Sequence, residues 1–258
     1  MNINIIKVLT SGVTALFLTT ATLNAKTIAK IPEASGICFV PTTNSLFVVN
    51  DEGTLYNIKK NGEIITKKHL GKYDLEGITY DIKNDRLLLA VEGDESILIV
   101  NRESLDVEKE IQIKRKFEKV NLLKKSKGSG IEAIAIDENG DIYLSNQSKI
   151  TYKKKLKKNA SVIFRIDSFD KKKTRITEIY NHGYIDIAGM TFHKGYLYMT
   201  SDKENLLIKY DIKKNKTIKK IKLKKSAQEG IAFDDEDNIY IADDKGSILK
   251  YKRASLGI

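Results

Sequence analysis

Oxygen-bearing side chains recur at one point of a short pattern that occurs five times along this chain of 258 residues. Each copy ends in Gly or Ala, and an apolar residue follows. The small residues of the five copies are Gly36, Gly77, Ala133, Gly189 and Gly230. The residues directly before them are Ser35, Glu76, Glu132, Ala188 and Glu229. Three of the five copies therefore place a glutamate at the same point of the repeat.

A second set of polar residues ends the second apolar segment of each copy. These residues are Asn50, Glu92, Asn146, Ser201 and Asp243. Further acidic residues lie beside the two sets: Asp51, Asp74, Asp186, Asp202 and Asp244. Carboxylate and amide oxygens are the ligands that a hard cation such as Ca²⁺ prefers. The chain has only three histidines and one cysteine, Cys38, so the sequence does not favour zinc.

The repeat also predicts the elements that position these side chains. Each copy runs into a short apolar strand, a polar turn and further strands, and no stretch keeps a helical period. The aligned positions are 41 to 56 residues apart, which is typical of four-stranded propeller blades. The fifth unit ends after its third strand, Ser247–Tyr251, whereas an unmatched strand at residues 27–31 precedes the first copy. We therefore predict an all-β, five-bladed β-propeller of four-stranded antiparallel blades, in which the N-terminal strand joins the last blade.

This topology brings the two polar sets to one face. The first strand of a blade is innermost, so the loop that leads into it and the loop after the second strand emerge on the same side. We therefore predict a Ca²⁺ site at the mouth of the central channel. The candidate ligands are Glu76, Glu132, Glu229, Asn146, Asp243, Glu92 and Asn50. The alternative for any single strand-end Asp or Asn is a role in capping its turn.

The first 25 residues differ from the rest of the chain. One lysine precedes an uncharged apolar run, and a small residue, Ala25, stands before Lys26. This pattern is typical of a cleavable secretory signal. We expect a signal peptide at residues 1–25, one propeller domain at residues 26–258, and a periplasmic or secreted protein; an uncleaved membrane anchor is the alternative.

The formal net charge is +11, and only six of the 45 basic residues are arginine. Specific phosphate readers rely on arginine forks, so we expect no specific nucleic-acid binding. The lysine runs have two interpretations: a solvated outer surface, or weak, salt-sensitive contact with a polyanionic envelope component. The single cysteine excludes an internal disulfide framework and is expected to fill the core. We expect a monomer with an unidentified small-molecule or envelope partner.

Three stretches of the chain carry a family resemblance: residues 74–81 (DLEGITYD), 130–137 (GIEAIAID) and 228–235 (QEGIAFDD). They resemble the SdiA-regulated family, and the likeness extends over nearly the whole mature chain. The resemblance implies an envelope-exposed, five-bladed propeller related to NHL-type repeats, with a bound calcium ion. By motif position, the ligands implied are Glu76, Glu132 and Glu229, with partners such as Asn146 and Asp243. Ala188 and Ser35 depart from the acidic pattern, so five carboxylates cannot form a symmetric ring.

Two functions fit these features. The first is a calcium-stabilised binding or scaffold module of the cell envelope. The second is a calcium-dependent hydrolase of the lactonase or phosphoesterase type, with its active site on the metal-bearing rim. A hydrolase needs a base beside the ion, and His182 and His69 are the candidates, since each precedes a first strand; His193 is expected on the opposite face. Two long segments, residues 117–129 and 147–160, are expected to shape a binding site on the rim.

Overall fold

The computed structural model describes residues 25–123, 130–152, 156–167, 169 and 172–257. Almost the whole of the expected signal peptide, residues 1–24, lies outside the described residues. Among the residues that are described, no helix is long and apolar enough to cross a membrane. The only helix in this part of the chain is α1, Arg253–Leu256.

Four-stranded antiparallel sheets make up the fold, and there are five of them. The first is β2 (Ala34–Val40), β3 (Ser45–Asn50), β4 (Thr54–Lys59) and β5 (Ile64–His69). The second is β6 (Leu75–Asp81), β7 (Arg86–Val91), β8 (Ser96–Asn101) and β9 (Val107–Ile113). A hairpin of β10 (Lys116–Phe117) and β11 (Val120–Asn121) follows.

The third sheet is β12 (Ile131–Ile136), β13 (Ile142–Asn146), β14 (Ile163–Ile166) and β16 (Ile176–Tyr180). The short strand β15 (Lys173–Thr174) leaves this blade and pairs in parallel with β9. The fourth sheet is β17 (Ile187–His193), β18 (Tyr196–Ser201), β19 (Leu206–Asp211) and β20 (Lys216–Lys222). The fifth is β21 (Gln228–Phe233), β22 (Ile239–Asp243), β23 (Ser247–Tyr251) and, from the chain's start, β1 (Lys26–Lys30).

The ring closes through β1, which pairs antiparallel with β23 as the fourth strand of the last blade. Lys26 lies opposite Lys250 and Lys30 lies opposite Ser247. Joining the two ends of the chain in one sheet leaves no blade open at the seam. The prediction of an all-β, five-bladed propeller closed by the N-terminal strand is confirmed.

Burial explains which residues form which strands. Second strands lie between two neighbouring strands and two neighbouring blades, so they are almost entirely buried and mostly apolar; Leu87, Leu88 and Leu89 of β7 are all fully buried. Outer strands have one face in water, so β20 is rich in lysine and only its Thr217 and Ile221 are half-buried. Core clusters fill the spaces between blades, and Cys38 is buried in one of them, as the sequence predicted.

The aligned small residue of each repeat lies where the innermost strands meet. A Cβ added at Gly77 would stand 2.9 Å from the carbonyl oxygen of Glu132, and one at Gly230 would stand 2.6 Å from the backbone nitrogen of Ile37. A larger residue cannot enter at these separations without moving backbone. The small residue at this position, Gly in four repeats and Ala in the third, therefore allows five blades to close tightly around their axis.

Candidate metal centre

A β-bulge orients the glutamates of the repeat. Each first strand pairs regularly with its second strand except at the start, where the register shifts around the residue before the small residue. In the second blade the shift lies between Leu75 and Gly77, and Glu76 is the extra residue. A bulge redirects the side chain of its extra residue. The repeat thus aims Glu76 at the mouth of the closed channel.

Asp74, Glu76 and Glu92 form the tightest acidic group among the described residues. One carboxylate oxygen from each lies within 4.8 Å of the others. The β6–β7 pairing explains this, because the backbone nitrogen of Glu92 donates to the carbonyl oxygen of Asp74 at 2.9 Å and brings the start of β6 beside the end of β7. Glu92 is buried, whereas the other two are half-buried. Three carboxylates this close could hold a cation.

Glu132 and Glu229 belong to the same acidic cluster. Burial raises the pKa of Glu132 well above its ordinary value, and the charges of Glu76 and Glu229 raise it further. Burial likewise raises the pKa of Glu76, with Glu229 and Asp74 as the next causes. The pKa of Glu229 rises to about 8, again chiefly through burial. These mutual effects on pKa indicate that Glu76, Glu132 and Glu229 lie near one another; that they bind a metal stays a prediction.

Little positive charge offsets these carboxylates within the described chain. The ammonium of Lys203 lies 2.8 Å from Asp202 and 3.8 Å from Asp186, at the fourth blade's edge of the cluster. Burial raises the pKa of Asp51 to about 7, and the nearby Glu33 and Asp244 contribute to the increase. Repulsion of this kind favours either protonation or a bound cation. The donor set consists of carboxylates, which suits a hard cation.

Three of the other candidate ligands use their side chains to hold the loops after the second strands. Asn50 donates to the carbonyl of Pro32 at 3.2 Å and accepts from the backbone nitrogen of Thr54 at 2.9 Å. Asn146 donates to the carbonyl of Ala160 at 3.0 Å and accepts from the backbone nitrogen of Val162 at 3.1 Å. These contacts resemble turn capping, the alternative that the sequence left open.

Asp243 accepts from the backbone nitrogen of Lys245 at 2.9 Å and from the hydroxyl of Ser226. Glu92 accepts from the backbone nitrogen of Gly130 at 2.8 Å with one oxygen. Glu92 therefore combines a loop contact with membership of the acidic group. The assignment of metal ligands among Asn50, Asn146 and Asp243 stays a prediction.

The three histidines lie in different surroundings. His69 ends the outermost strand of the first blade, is exposed, and has Nδ1 3.5 Å from the hydroxyl of Thr54. His182 is buried in the loop before β17, and its Nδ1 accepts from the backbone nitrogen of Tyr184 at 3.1 Å. His193 is the last residue of β17 and stacks on Phe233, with 4.2 Å between the ring centroids.

Burial lowers the pKa of His182 to about 4, so the ring is neutral at physiological pH. Because Nδ1 accepts a hydrogen bond, the proton of the neutral ring is on Nε2. Nε2 is buried and has no partner among the described residues. In this tautomer His182 offers a donor at Nε2 and no free base.

The sequence treated Asp74 as a neighbour of the site and not as a ligand. The structure makes it a member of the tightest group, with Glu76 and Glu92. The sequence position of Asp74 could have identified it as a candidate ligand. Asp74 stands two residues before Glu76 and directly before β6, whose start is paired with the end of β7. The β6–β7 pairing, in addition to the repeat, brings Asp74 into the acidic group.

Comparisons with known proteins agree with this architecture. A sequence model of the family described as SdiA-regulated matches residues 14–245. No curated protein matches significantly. Among solved structures, glutaminyl cyclase of Myxococcus xanthus has a TM-score of 0.60 at 13% identity, over 88% of this chain and 94% of the other.

Two further solved structures have the same fold. A streptogramin B lyase has a TM-score of 0.51 at 13% identity, over 88% of this chain and 96% of the other. A glucose dehydrogenase has a TM-score of 0.53 at 11% identity, over 88% of this chain and 98% of the other. At such identities the likeness concerns the fold alone.

Proposed function

This chain belongs to the SdiA-regulated family, and we propose that it is an exported calcium-binding β-propeller that acts as a binding or scaffold module of the cell envelope. The acidic cluster at the channel mouth supports the calcium part of the proposal. The export part rests on the sequence pattern of residues 1–25.

One observation carries the calcium proposal: oxygens of Asp74, Glu76 and Glu92 lie within 4.8 Å of one another. Glu132 and Glu229 adjoin this group and share its repulsion. Calcium accepts six to eight oxygen ligands in flexible geometries, so an uneven set of carboxylates drawn from several blades is acceptable to it. Asp74, Glu76 and Glu92 would hold the ion, with Glu132 and Glu229 as the nearest further donors.

A bound calcium ion would supply charge neutralisation and a cross-link between blades. The residues of this chain would position the carboxylates and join the blades. The bulges hold Glu76, Glu132 and Glu229 at the axis, and the Glu92–Gly130 hydrogen bond joins the second blade to the start of the third. Because ordered carboxylates repel each other when no cation is bound, stability and metal binding should be strongly coupled in this protein.

The alternative, a calcium-dependent hydrolase, has one observation in its favour. His182 is a buried histidine in a loop on the side of the propeller that bears the acidic cluster, and its Nε2 has no described partner. A general base needs an unprotonated nitrogen near the reacting group, and Nε2 of His182 carries a proton. Some structural neighbours are named as enzymes, but this likeness extends to the fold alone. The binding module is therefore the better-supported function.

Thermal unfolding with and without calcium tests the calcium proposal. A ligand at 100 times its dissociation constant stabilises the folded state by about 2.7 kcal/mol, so the midpoint should rise by several degrees in millimolar Ca²⁺ relative to a chelator. Glu76→Gln and Glu92→Gln together should abolish this rise. Glu138→Gln, an exposed glutamate in the β12–β13 turn, is the control and should keep it. An unchanged midpoint for the unmodified protein contradicts the proposal.

Export has its own test. N-terminal sequencing of the protein from a periplasmic or culture-medium fraction should find Lys26 as the first residue. Recovery of a full-length chain in the membrane fraction would support the anchor instead. Recovery of the full-length chain in the cytoplasm alone would refute the envelope assignment without touching the calcium site.

A further inference from the structure

A large groove lies between the second and third blades, where the propeller departs from its five-fold pattern. Its volume is about 1270 Å³, which exceeds the usual range of about 300–1,000 Å³ for small-molecule pockets. Residues from the end of β9, from the β10–β11 hairpin and from the β15–β16 segment line it. None of the candidate ligands of the acidic cluster lines it.

Backbone hydrogen bonds hold the groove's walls. β15 adds to the edge of β9 in parallel, and the backbone nitrogen of Lys114 donates to the carbonyl of Thr174 at 2.9 Å. The backbone nitrogen of Asn159 donates to the carbonyl of Asn121 at 3.0 Å, which fixes the hairpin to the long loop of the third blade. The groove is thus a built feature of the fold, made by the segments that only this part of the chain inserts.

Positive charge dominates the described lining. Its basic residues are Lys114, Arg115, Lys116, Lys158, Lys173 and Arg175, against one acidic residue, Glu118. The two arginines are held in ion pairs: Arg115 lies 3.2 Å from Glu95, and Arg175 lies 3.3 Å from Asp167. No ion pair joins the four lysines to any described carboxylate. These ammonium groups come from both walls of the groove and are exposed.

The floor of the groove is apolar. Ile113, Leu123 and Ile176 are buried, and the half-buried Phe117 packs against the same core cluster. An apolar floor beneath a ring of cations is complementary to a ligand with both an apolar body and an anionic head. A free inorganic ion would use the lysines and leave the floor uncovered.

We propose that this groove binds a phosphomonoester or phosphodiester that carries an apolar chain. The head group would contact Lys114, Lys116, Lys158 and Lys173, and the chain would lie on Phe117 and its neighbours. A phosphate offers several strong acceptor oxygens and one to two negative charges, which suits lysines on opposite walls better than a single carboxylate does. The groove shares no lining residue with the acidic cluster, so this proposal does not depend on calcium binding.

Titration calorimetry with decyl phosphate, below its micelle concentration, tests the proposal on the full mature chain. We expect saturable one-to-one binding that weakens with salt. Inorganic phosphate should bind at least about tenfold more weakly, because each buried CH₂ adds about 0.8 kcal/mol. Equal affinity for the two probes, or no saturable binding of decyl phosphate, would overturn the proposal.

Two variants locate the site. Lys116→Ala/Lys173→Ala removes one lysine from each wall and should weaken decyl phosphate binding at least about tenfold. Lys216→Ala/Lys220→Ala removes the same charge from the outer strand of the fourth blade and should leave the affinity within about twofold. An equal loss in both pairs would mean non-specific attraction to a basic surface and would refute the groove. Phe117→Ala should reduce the preference for decyl phosphate over inorganic phosphate, measured as the ratio of the two affinities in the same variant.

Flotation with vesicles of phosphatidylglycerol and phosphatidylcholine identifies the source of the phosphate. Flotation that Lys116→Ala/Lys173→Ala abolishes would assign the site to a membrane phospholipid. Decyl phosphate binding without flotation would assign it to a soluble phosphate ester. Both results support the groove; failure of both probes contradicts it.

Discussion

Gly189 lies against the carbonyl oxygen of Glu229, so closely that a Cβ added at Gly189 would stand 2.0 Å from that oxygen. The hydroxyl of Thr200 donates to the same carbonyl. The contact joins the innermost strands of the fourth and fifth blades directly behind a glutamate of the acidic cluster. The same backbone contact therefore packs the fourth blade against the fifth and holds the backbone of Glu229 in place.

Gly189→Ala should destabilise the protein strongly. The added methyl group must push apart two backbone segments that have no room to yield, and overpacking of this kind costs about 1–3 kcal/mol. The measurement is chemical unfolding with calcium present. Ala133→Gly, at the equivalent point of the third blade, is the contrast and should cost only about 0.5–1 kcal/mol; a smaller loss for Gly189→Ala than for Ala133→Gly would contradict this explanation.

Glu229→Gln should stabilise the calcium-free protein near neutral pH. Its pKa is raised to about 8 in the folded state, whereas an unfolded glutamate titrates near 4.5, so the folded state holds more protons between these values. Stability contributed by this group is full below about pH 4.5 and is lost as pH rises through 8. Glutamine mimics the protonated acid and removes that loss.

At pH 8.5 without calcium, the unfolding midpoint of Glu229→Gln should lie about 2–6 °C above that of the unmodified protein, which corresponds to about 1–2 kcal/mol for a chain of this size. The difference should shrink towards pH 5. Glu138→Gln should show no such pH-dependent difference. A midpoint for Glu229→Gln that is lower at every pH would mean that the carboxylate is not under repulsion.

His182 should give the opposite pH dependence. Its pKa is lowered to about 4 in the folded state by burial, while an unfolded histidine titrates near 6.5. The unfolded state therefore binds more protons between these values. The stability that the neutral His182 contributes is fully present above about pH 6.5 and falls as pH drops towards 4. At about 1.4 kcal/mol per pKa unit, the loss is on the order of 3 kcal/mol.

His182→Asn should flatten this acid-side loss, because asparagine has an acceptor for the Tyr184 backbone nitrogen but no titrating group. Unfolding free energies at pH 7 and pH 4.5 measure it. His69→Asn, on an exposed outer strand, is the matched control and should follow the unmodified protein. An identical pH slope in all three proteins would mean that His182 is not buried in the neutral form.

Ile31→Ala tests the closure of the ring. Ile31 follows β1, is fully buried, and packs in the cluster between the fifth and first blades. Truncation of such a residue costs about 2–5 kcal/mol. Ile64→Ala, 49% exposed on β5, should stay within about 0.5 kcal/mol; similar small effects at both positions would show that the N-terminal strand does not hold the ring.

The repeat predicted the fold because its period reports the blades directly. It also predicted that Glu76, Glu132 and Glu229 converge, since they share one point of the repeat. It could not decide what Asn50 and Asn146 do, because a strand-end amide can face a cation or its own loop with the same sequence pattern. Residues 117–129 and 147–160 were expected to shape a binding site, and described residues of both segments line the groove. The wall that β15 forms was not predictable, because β15 leaves its blade to pair with β9, a long-range contact that no local pattern encodes.

Calorimetric titration of Ca²⁺ into chelator-stripped protein, repeated in two buffers of different ionisation enthalpy, tests the calcium site most directly. We expect one ion bound per chain, with proton release near pH 7, because carboxyl groups whose pKa is raised by burial and mutual repulsion must ionise to bind the ion. Glu76→Gln/Glu92→Gln should lose both the binding and the proton release. Absence of saturable heat in either buffer, for the unmodified protein, would contradict it.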